Sequence, residues 1–429
     1  MMIKNSIKYI FIIIVIIFYN CCNTYSQNQS DFSKFNLAFL YNPGKLIINP
    51  ECLIYHNEEL TSAVFFKQYV NELNFSPKNV KSSEYRYGVR YILRDADNYN
   101  IIDSASVNYV VKKERISDSF SSFFKINTPE NKSYVLMIIF YCRTTNANKR
   151  FLFEIDKSDV FSGENYFVES MGEPVEPKYN NIVYSGKNYK ITSGRIKNKS
   201  VTVNYYAFDD YMPSPPASTA RSSSSFQIPD SVYHYKFGDT IQFENKGIYF
   251  FQASENDNSG LILLNAGQFF PKIKTVSQML EPLQHFCTRR EYNEIKKSEN
   301  LKESIDEFWF SKSNDVRIAK EQIRVFYNRV QLANNFFTDY RKGFKSDRGM
   351  IYIIFGAPSA VRRNQDAEEW FYGENPEISG LSFIFYKEEH PVFGHEYKLR
   401  RNTTYQTIWG QAISTWRAGR IFLLTSDKI

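Results

Sequence analysis

The spacing of hydrophobic positions changes character along this chain. From Phe35 to about Asp159, short apolar runs alternate with polar breaks every dozen or so residues. That spacing predicts an immunoglobulin-like β-sandwich, with strands at 46–48, 62–66, 87–93, 105–111, 134–141 and 151–155. Within 87–93 the odd positions Tyr87, Val89, Tyr91 and Leu93 are apolar and share one face, which marks them as core. A second β-rich block runs from about Tyr166 to Phe270, with strands predicted at 189–192, 201–206, 240–243, 247–251 and 260–264. Residues 212–225 interrupt it with prolines and four consecutive serines. Such a composition cannot bury a core and predicts a mobile loop.

After Pro271 the period becomes helical. Ala319, Ile323, Phe326, Val330, Ala333 and Phe337 are spaced 4, 3, 4, 3, 4, an amphipathic helix over 315–340 with Asp315 suited to its first turn. Residues 289–310 predict another helix, interrupted near Asn300. Next comes G-F-K-S-D-R-G-M-I-Y-I-I-F-G-A-P, residues 343–358. Its apolar run 350–355, bounded by Gly and Pro, predicts a buried strand. Further strands at 369–372, 381–386 and 395–399 and a helix at 406–417 complete an α+β module. The predicted fold is therefore multidomain: a 27–160 β-sandwich-like domain, a 161–271 β-rich domain carrying the 212–225 loop, and a 272–429 α+β domain made of a helix hairpin, an antiparallel sheet and a terminal helix.

The first residues read as an address. Two lysines precede an eleven-residue apolar run, Tyr9 to Tyr19, the length of a signal-peptide core and too short for a permanent span. Small residues at Thr24 and Ser26 predict cleavage after residue 26, so 1–26 is a signal peptide. Lipidation on Cys21 or Cys22 is the alternative, and only then would the chain contact a membrane. Either way the expected location is outside the cytoplasm, in the periplasm or on the periplasmic face of the outer membrane.

Net charge is +7; cleavage removes Lys4 and Lys8 and leaves +5 (7 − 2). So mild an excess favours solubility and gives no nucleic-acid signature. Cys52 and Cys142 fall in strand-like contexts of one region, so a disulfide between them and two buried free thiols are both open. No Cys or His spacing suggests zinc. Gly349 and Gly356 lack the Lys-Ser/Thr and following helix of a phosphate cradle, so no metal and no cofactor is expected.

The run A-N-N-F-F, the 343–358 stretch, E-E-W-F-Y and the Phe-rich strand together resemble the GWxTD-domain family of Gram-negative envelope proteins, over roughly residues 276–419. Two positions depart from the family pattern: Phe344 replaces its Trp and Ser346 its Thr. The resemblance implies an exported protein with β-rich N-terminal modules and no established enzymatic activity. The order G-x-P, W-x-Y, apolar strand is also similar to small accessory lipoproteins of outer-membrane β-barrel assembly.

Asp347 and Arg348 are the sharpest candidate pair. They could present a carboxylate and a guanidinium to a ligand, or Asp347 could cap the turn while Arg348 pairs with a nearby acid. Phe344, Ser346, Arg362, Glu369 and Trp370 complete the candidate binding set. Gly343, Gly349 and Gly356 are expected to supply special backbone angles, and Pro358 to close the turn. Adjacent carboxylates Glu368 and Glu369 point to opposite faces of a strand and cannot flank one bond. The expected function is a non-enzymatic envelope protein whose C-terminal module binds another envelope protein through the Asp347–Arg348 turn and the Phe-rich strand, in secretion or outer-membrane assembly machinery. The alternative is an envelope hydrolase acting on glycan or peptide. It would gain if Glu369, Asp347 and a histidine met around one cleft.

Overall fold

A computed structural model describes residues 35–424 apart from 43–47, 70–71, 73–83, 113–118, 144–145, 199, 219–227, 255–257, 314 and 375–379. The expected signal peptide, Cys21, Cys22, most of the predicted 46–48 strand and the serine run lie outside the described residues. The rest is a β-rich chain of two sandwiches followed by an α+β module.

In the first sandwich, β1 (Glu51–Tyr55), β2 (Thr61–Tyr69) and β5 (Ser119–Asn127) form one sheet, in the order β1-β2-β5. The facing sheet runs β4 (Ile101–Lys112), β3 (Glu84–Asp95), β6 (Ser133–Cys142) and β7 (Asn148–Asp156). Tyr87, Val89, Tyr91 and Leu93 are all buried between the sheets, as their alternation requires. Cys52 and Cys142 sit on different sheets as free thiols.

The second sandwich pairs β8 (Phe167–Ser170), β9 (Glu176–Pro177), β10 (Asn188–Thr192) and β13 (Thr240–Gln242) against β11 (Ser200–Ala207), β12 (Ser231–Lys236), β14 (Gly247–Gln252) and β15 (Leu261–Asn265). Strand β14 is buried on both faces. Tyr249 and Phe251 enter the sandwich core, while Ile248 and Phe250 join Tyr206, Tyr340 and Phe393 in a cluster shared with the C-terminal module.

That module opens with short α1 (Val276–Leu280), then α2 (Arg289–Lys296) and α3 (Leu301–Phe310), separated at Asn300, which caps α3 by accepting from the Glu303 amide. The long amphipathic helix is α4 (Val316–Phe337), capped by Asp315. A four-stranded antiparallel meander follows: β16 (Ala360–Arg363), β17 (Ala367–Tyr372), β18 (Leu381–His390) and β19 (Gly394–Leu399), closed by α6 (Gln406–Arg417).

The strand expected at 350–355 is instead helix α5 (Asp347–Phe355). Ser346 accepts from the Gly349 amide at 3.0 Å and so starts a helix. Every residue from Met350 to Phe355 is then buried between α4, the meander and α6. A short apolar run buried all round has no amphipathic period, so pattern alone cannot separate helix from strand. No described helix is long and apolar enough to cross a membrane.

Two segments reach the module from far away in sequence. Residues 36–41 lie along its sheet: the Leu37 amide donates to the Val361 carbonyl at 2.8 Å, and the Val361 amide to Asn36 Oδ1 at 3.0 Å. Leu37 and Tyr41 are buried in the module's core. The described part of the expected 212–225 loop, with the residues just before it, also docks there. Arg401 donates to the Ser214 carbonyl, the Asn402 amide to the Pro216 carbonyl, and Lys345 to the Asp209 carbonyl. Pro213 and Pro216 are buried. Prolines need no amide partner, so they line an apolar seat well.

Candidate functional site: the motif cage and the cleft beside it

Residues 343–349 make a tight turn into α5. An added Cβ at Gly343 would lie 2.0 Å from the Ala333 carbonyl oxygen, and one at Gly349 2.0 Å from that of Gly343. Gly343 therefore serves close approach to α4 and Gly349 close approach to the turn at 343–344, not the unusual backbone angles expected of them. Gly356, at φ +87°, does serve an angle, ending α5. Pro358 is buried in the turn that follows. Phe344 is buried, and its carbonyl accepts from His285 Nε2 at 2.9 Å. Burial pushes the His285 imidazole down to about 4, against the opposing pull of that bond.

The cap of α5 is Ser346, whose hydroxyl also donates to the Gly343 carbonyl at 2.7 Å. Asp347 is buried and bound elsewhere. It accepts from the Leu399 amide at 2.7 Å and forms a two-pronged pair with Arg401, at 3.1 and 2.6 Å. Because Arg401 also holds Ser214, the motif and the 208–218 segment share one guanidinium. At the other end of α5, buried Arg329 donates to the Ile353 and Ile354 carbonyls, and Trp416 Nε1 also to Ile354. This places a cation at the negative end of the helix dipole; burial lowers the Arg329 guanidinium to about 10.

Arg348 leads to a second buried network. Its guanidinium lies 4.1 Å from the Tyr397 ring centre and 3.8 Å from Glu368. Glu368, fully buried, accepts from Tyr41 Oη at 2.8 Å, Trp370 Nε1 at 2.7 Å and Arg363 Nε at 2.7 Å. Burial pushes this carboxyl up, but Arg363 and Arg348 outweigh it and hold Glu368 below the ordinary carboxylate range. Sequence reasoning set Glu368 aside with its neighbour. It is the centre of the cage, and its place on the same face of β17 as Trp370 and Tyr372 was the available signal.

Phe344, Ser346, Asp347 and Trp370 are thus interior, and Arg348 is largely enclosed. The Asp347–Arg348 turn offers no exposed docking surface. Glu369 is half-buried, and the exposed Arg362 lies over the Phe371 ring. Glu368 and Glu369 do face opposite ways. Glu369, Asp347 and the histidines do not meet: His56, His285 and His390 are buried apart, His234 is exposed on β12, and His395 is exposed on β19. Among the described residues, no group of three or more His, Cys, Asp or Glu side chains is placed to hold a metal.

The cage opens outward into a cleft of about 470 Å³ between the first sandwich and the module. Arg363 turns from Glu368 to Glu154 of β7 at 3.2 Å, and Lys387 reaches the same carboxylate at 3.4 Å. Leu37, Tyr99 and Leu152 contribute apolar lining; Asp97, Asp156 and His395 add polar groups.

Fold and site together define a β-rich multidomain protein whose C-terminal α+β module is locked by a buried polar cage. Residues 247–418 of that C-terminal part match the GWxTD domain family. The match begins at β14, the strand that the module shares with the second sandwich. Comparison with curated proteins gives no match. Among similar solved structures is Bacteroides uniformis beta-glucuronidase 2 covalently bound to cyclophellitol-6-carboxylate aziridine, 11% identical over 27% of this chain and 14% of that chain, with a TM-score of 0.18. A likeness that slight carries no argument.

Proposed function

We propose that this chain is a non-enzymatic cell-envelope protein that binds another envelope protein through the cleft beside the GWxTD module, in secretion or outer-membrane assembly machinery. The observation supporting this reading is the contrast between cage and cleft. The motif's Asp347 and Arg348 are turned inward onto Arg401 and Glu368, whereas the cleft combines apolar lining with both signs of charge at a junction of domains. Export rests on the lysine-flanked apolar run at residues 9–19.

The test is a photo-crosslinking residue at Gln365, on the cleft wall, in cells producing the full chain, with mass spectrometry of the products and fractionation of the cells. A discrete envelope protein, lost when Lys387→Glu reverses one wall charge, supports the reading. Recovery of the chain in the cytoplasm overturns it. The hydrolase reading has one observation in its favour, the carboxylates and His395 on the cleft wall. Release of reducing ends or peptides from envelope polymers, abolished by Glu154→Gln, would replace the binding reading with it.

A further inference from the structure

The sheet β4-β3-β6-β7 has an outer face whose character changes along its length. Near the module it is apolar: Ile92, Met137 and Leu152 stand side by side in register, and Met137 and Leu152 pack against the module's core. One row further out the register reads Ser106, Arg90, Ile139, Arg150. The next reads Asn108, Gly88, Tyr141, Asn148, and Arg143 lies just beyond it. Residues directly opposite on paired strands share a face, so these groups line one open concavity of about 570 Å³.

Tyr141 is laid flat on this surface. A Cβ on Gly88 would fall 2.1 Å from its Cζ, so only glycine lets the ring rest against β3. Its hydroxyl donates to Asn108 Oδ1 at 3.0 Å and lies 3.2 Å from Ser106 Oγ. Arg143 sits 5.8 Å from the ring centre. Arg90, Arg143 and Arg150 are exposed, and among the described residues none of them pairs with a carboxylate. Three guanidinium forks without a carboxylate partner thus share this face, Arg143 beside the Tyr141 ring and Arg150 5.5 Å from the ring centre of Phe39.

We propose that this face binds a polyuronate, a glycan with repeated carboxylates, one sugar ring stacking on Tyr141 while Arg90, Arg143 and Arg150 pair with carboxylates and Asn148 bonds to hydroxyls. Arg90 and Arg150 stand two strands apart, about 10 Å between backbones. That separation suits a ligand with several anionic groups better than a single ion. One flat ring, without a series of them, suits a sugar better than a run of stacked bases. The site is distinct from the cleft and does not rest on the partner reading.

The test is calorimetric titration of the full chain with polygalacturonate, its methyl ester and oligo(dT), at low and moderate salt. Polygalacturonate is expected to bind, the uncharged ester at least tenfold more weakly. Arg90→Ala/Arg150→Ala should lower affinity at least tenfold with an unchanged melt, because both side chains are exposed. Gly88→Ala, which lifts the ring, should weaken binding while leaving its salt dependence intact. Absence of polygalacturonate binding overturns the proposal, as does binding indifferent to the arginine pair. Tighter binding of oligo(dT) would reassign the face to single-stranded nucleic acid and overturn it equally.

Discussion

The two sandwiches meet the module by different physics. The second shares a layer with it: Ile248 and Phe250 of β14 pack with Tyr340 and Phe393, and the Tyr340 and Phe393 rings stack 4.6 Å apart. The first adds ion pairs to its packing: Val135, Met137 and Leu152 lie against the module's core, and beside them Arg363 and Lys387 reach Glu154. An apolar layer is indifferent to salt, whereas half-exposed ion pairs are screened. One joint is built to stay closed, the other to respond to what surrounds it, and the cleft lies at the second.

The largest effect is expected from Glu368→Ala, which leaves the Arg363 and Arg348 guanidiniums enclosed without their carboxylate. Breaking a buried pair this way costs about 3–5 kcal/mol. All four tryptophans, at 309, 370, 409 and 416, lie in the module, so a tryptophan-detected denaturation curve reads this loss alone. An unchanged curve would deny the cage its structural role. Phe250→Ala comes next, at about 3 kcal/mol or more for a truncated core aromatic. It should split one cooperative transition into two in calorimetry, separating the second sandwich from the module; a single shifted transition would show that the shared layer is not the coupling element.

Acid should act on the module through His285. Its folded value lies near 4, below the ordinary 6.5, so the neutral form is favoured in the folded state. The stability it contributes is complete above pH 6.5 and is lost as pH falls from there toward 4, by at most about 3 kcal/mol. Melts across that window should slope downward for the native chain and less steeply for His285→Gln, the remaining slope coming from His390 of β18, which burial also lowers to about 4. The smallest effect belongs to Glu154→Gln, a half-exposed partner worth about 0.2–1 kcal/mol. Its mark is sensitivity to salt: native protein should gain protease cutting at the first joint as salt rises, the variant should show it already at low salt, and the second joint should change in neither.

Much of this architecture was legible from period alone. Tyr87, Val89, Tyr91 and Leu93, the α4 stripe, the break at Asn300 and the helix over 406–417 follow from spacing, because each element has one wet and one dry face. Helix α5 was misread for the opposite reason: it has no wet face. The candidate site was harder. Residue types singled out Asp347, Arg348 and Trp370, but whether such groups face solvent or one another depends on partners as distant as Tyr41 and Arg401, which no local pattern encodes. The Pro-rich segment misled likewise, since its seat is built by residues almost 190 positions later.

Tyr41 and Glu368 are 327 residues apart, which also sets a timetable. At roughly 5–20 residues per second of synthesis, Leu37, Phe39 and Tyr41 emerge some 16–65 s before the groups that will receive them. This earliest stretch waits with its apolar side chains uncovered until the module's sheet has been made. The first piece of the described chain to be made is among the last to find its place, and in that interval it is open to holdase chaperones.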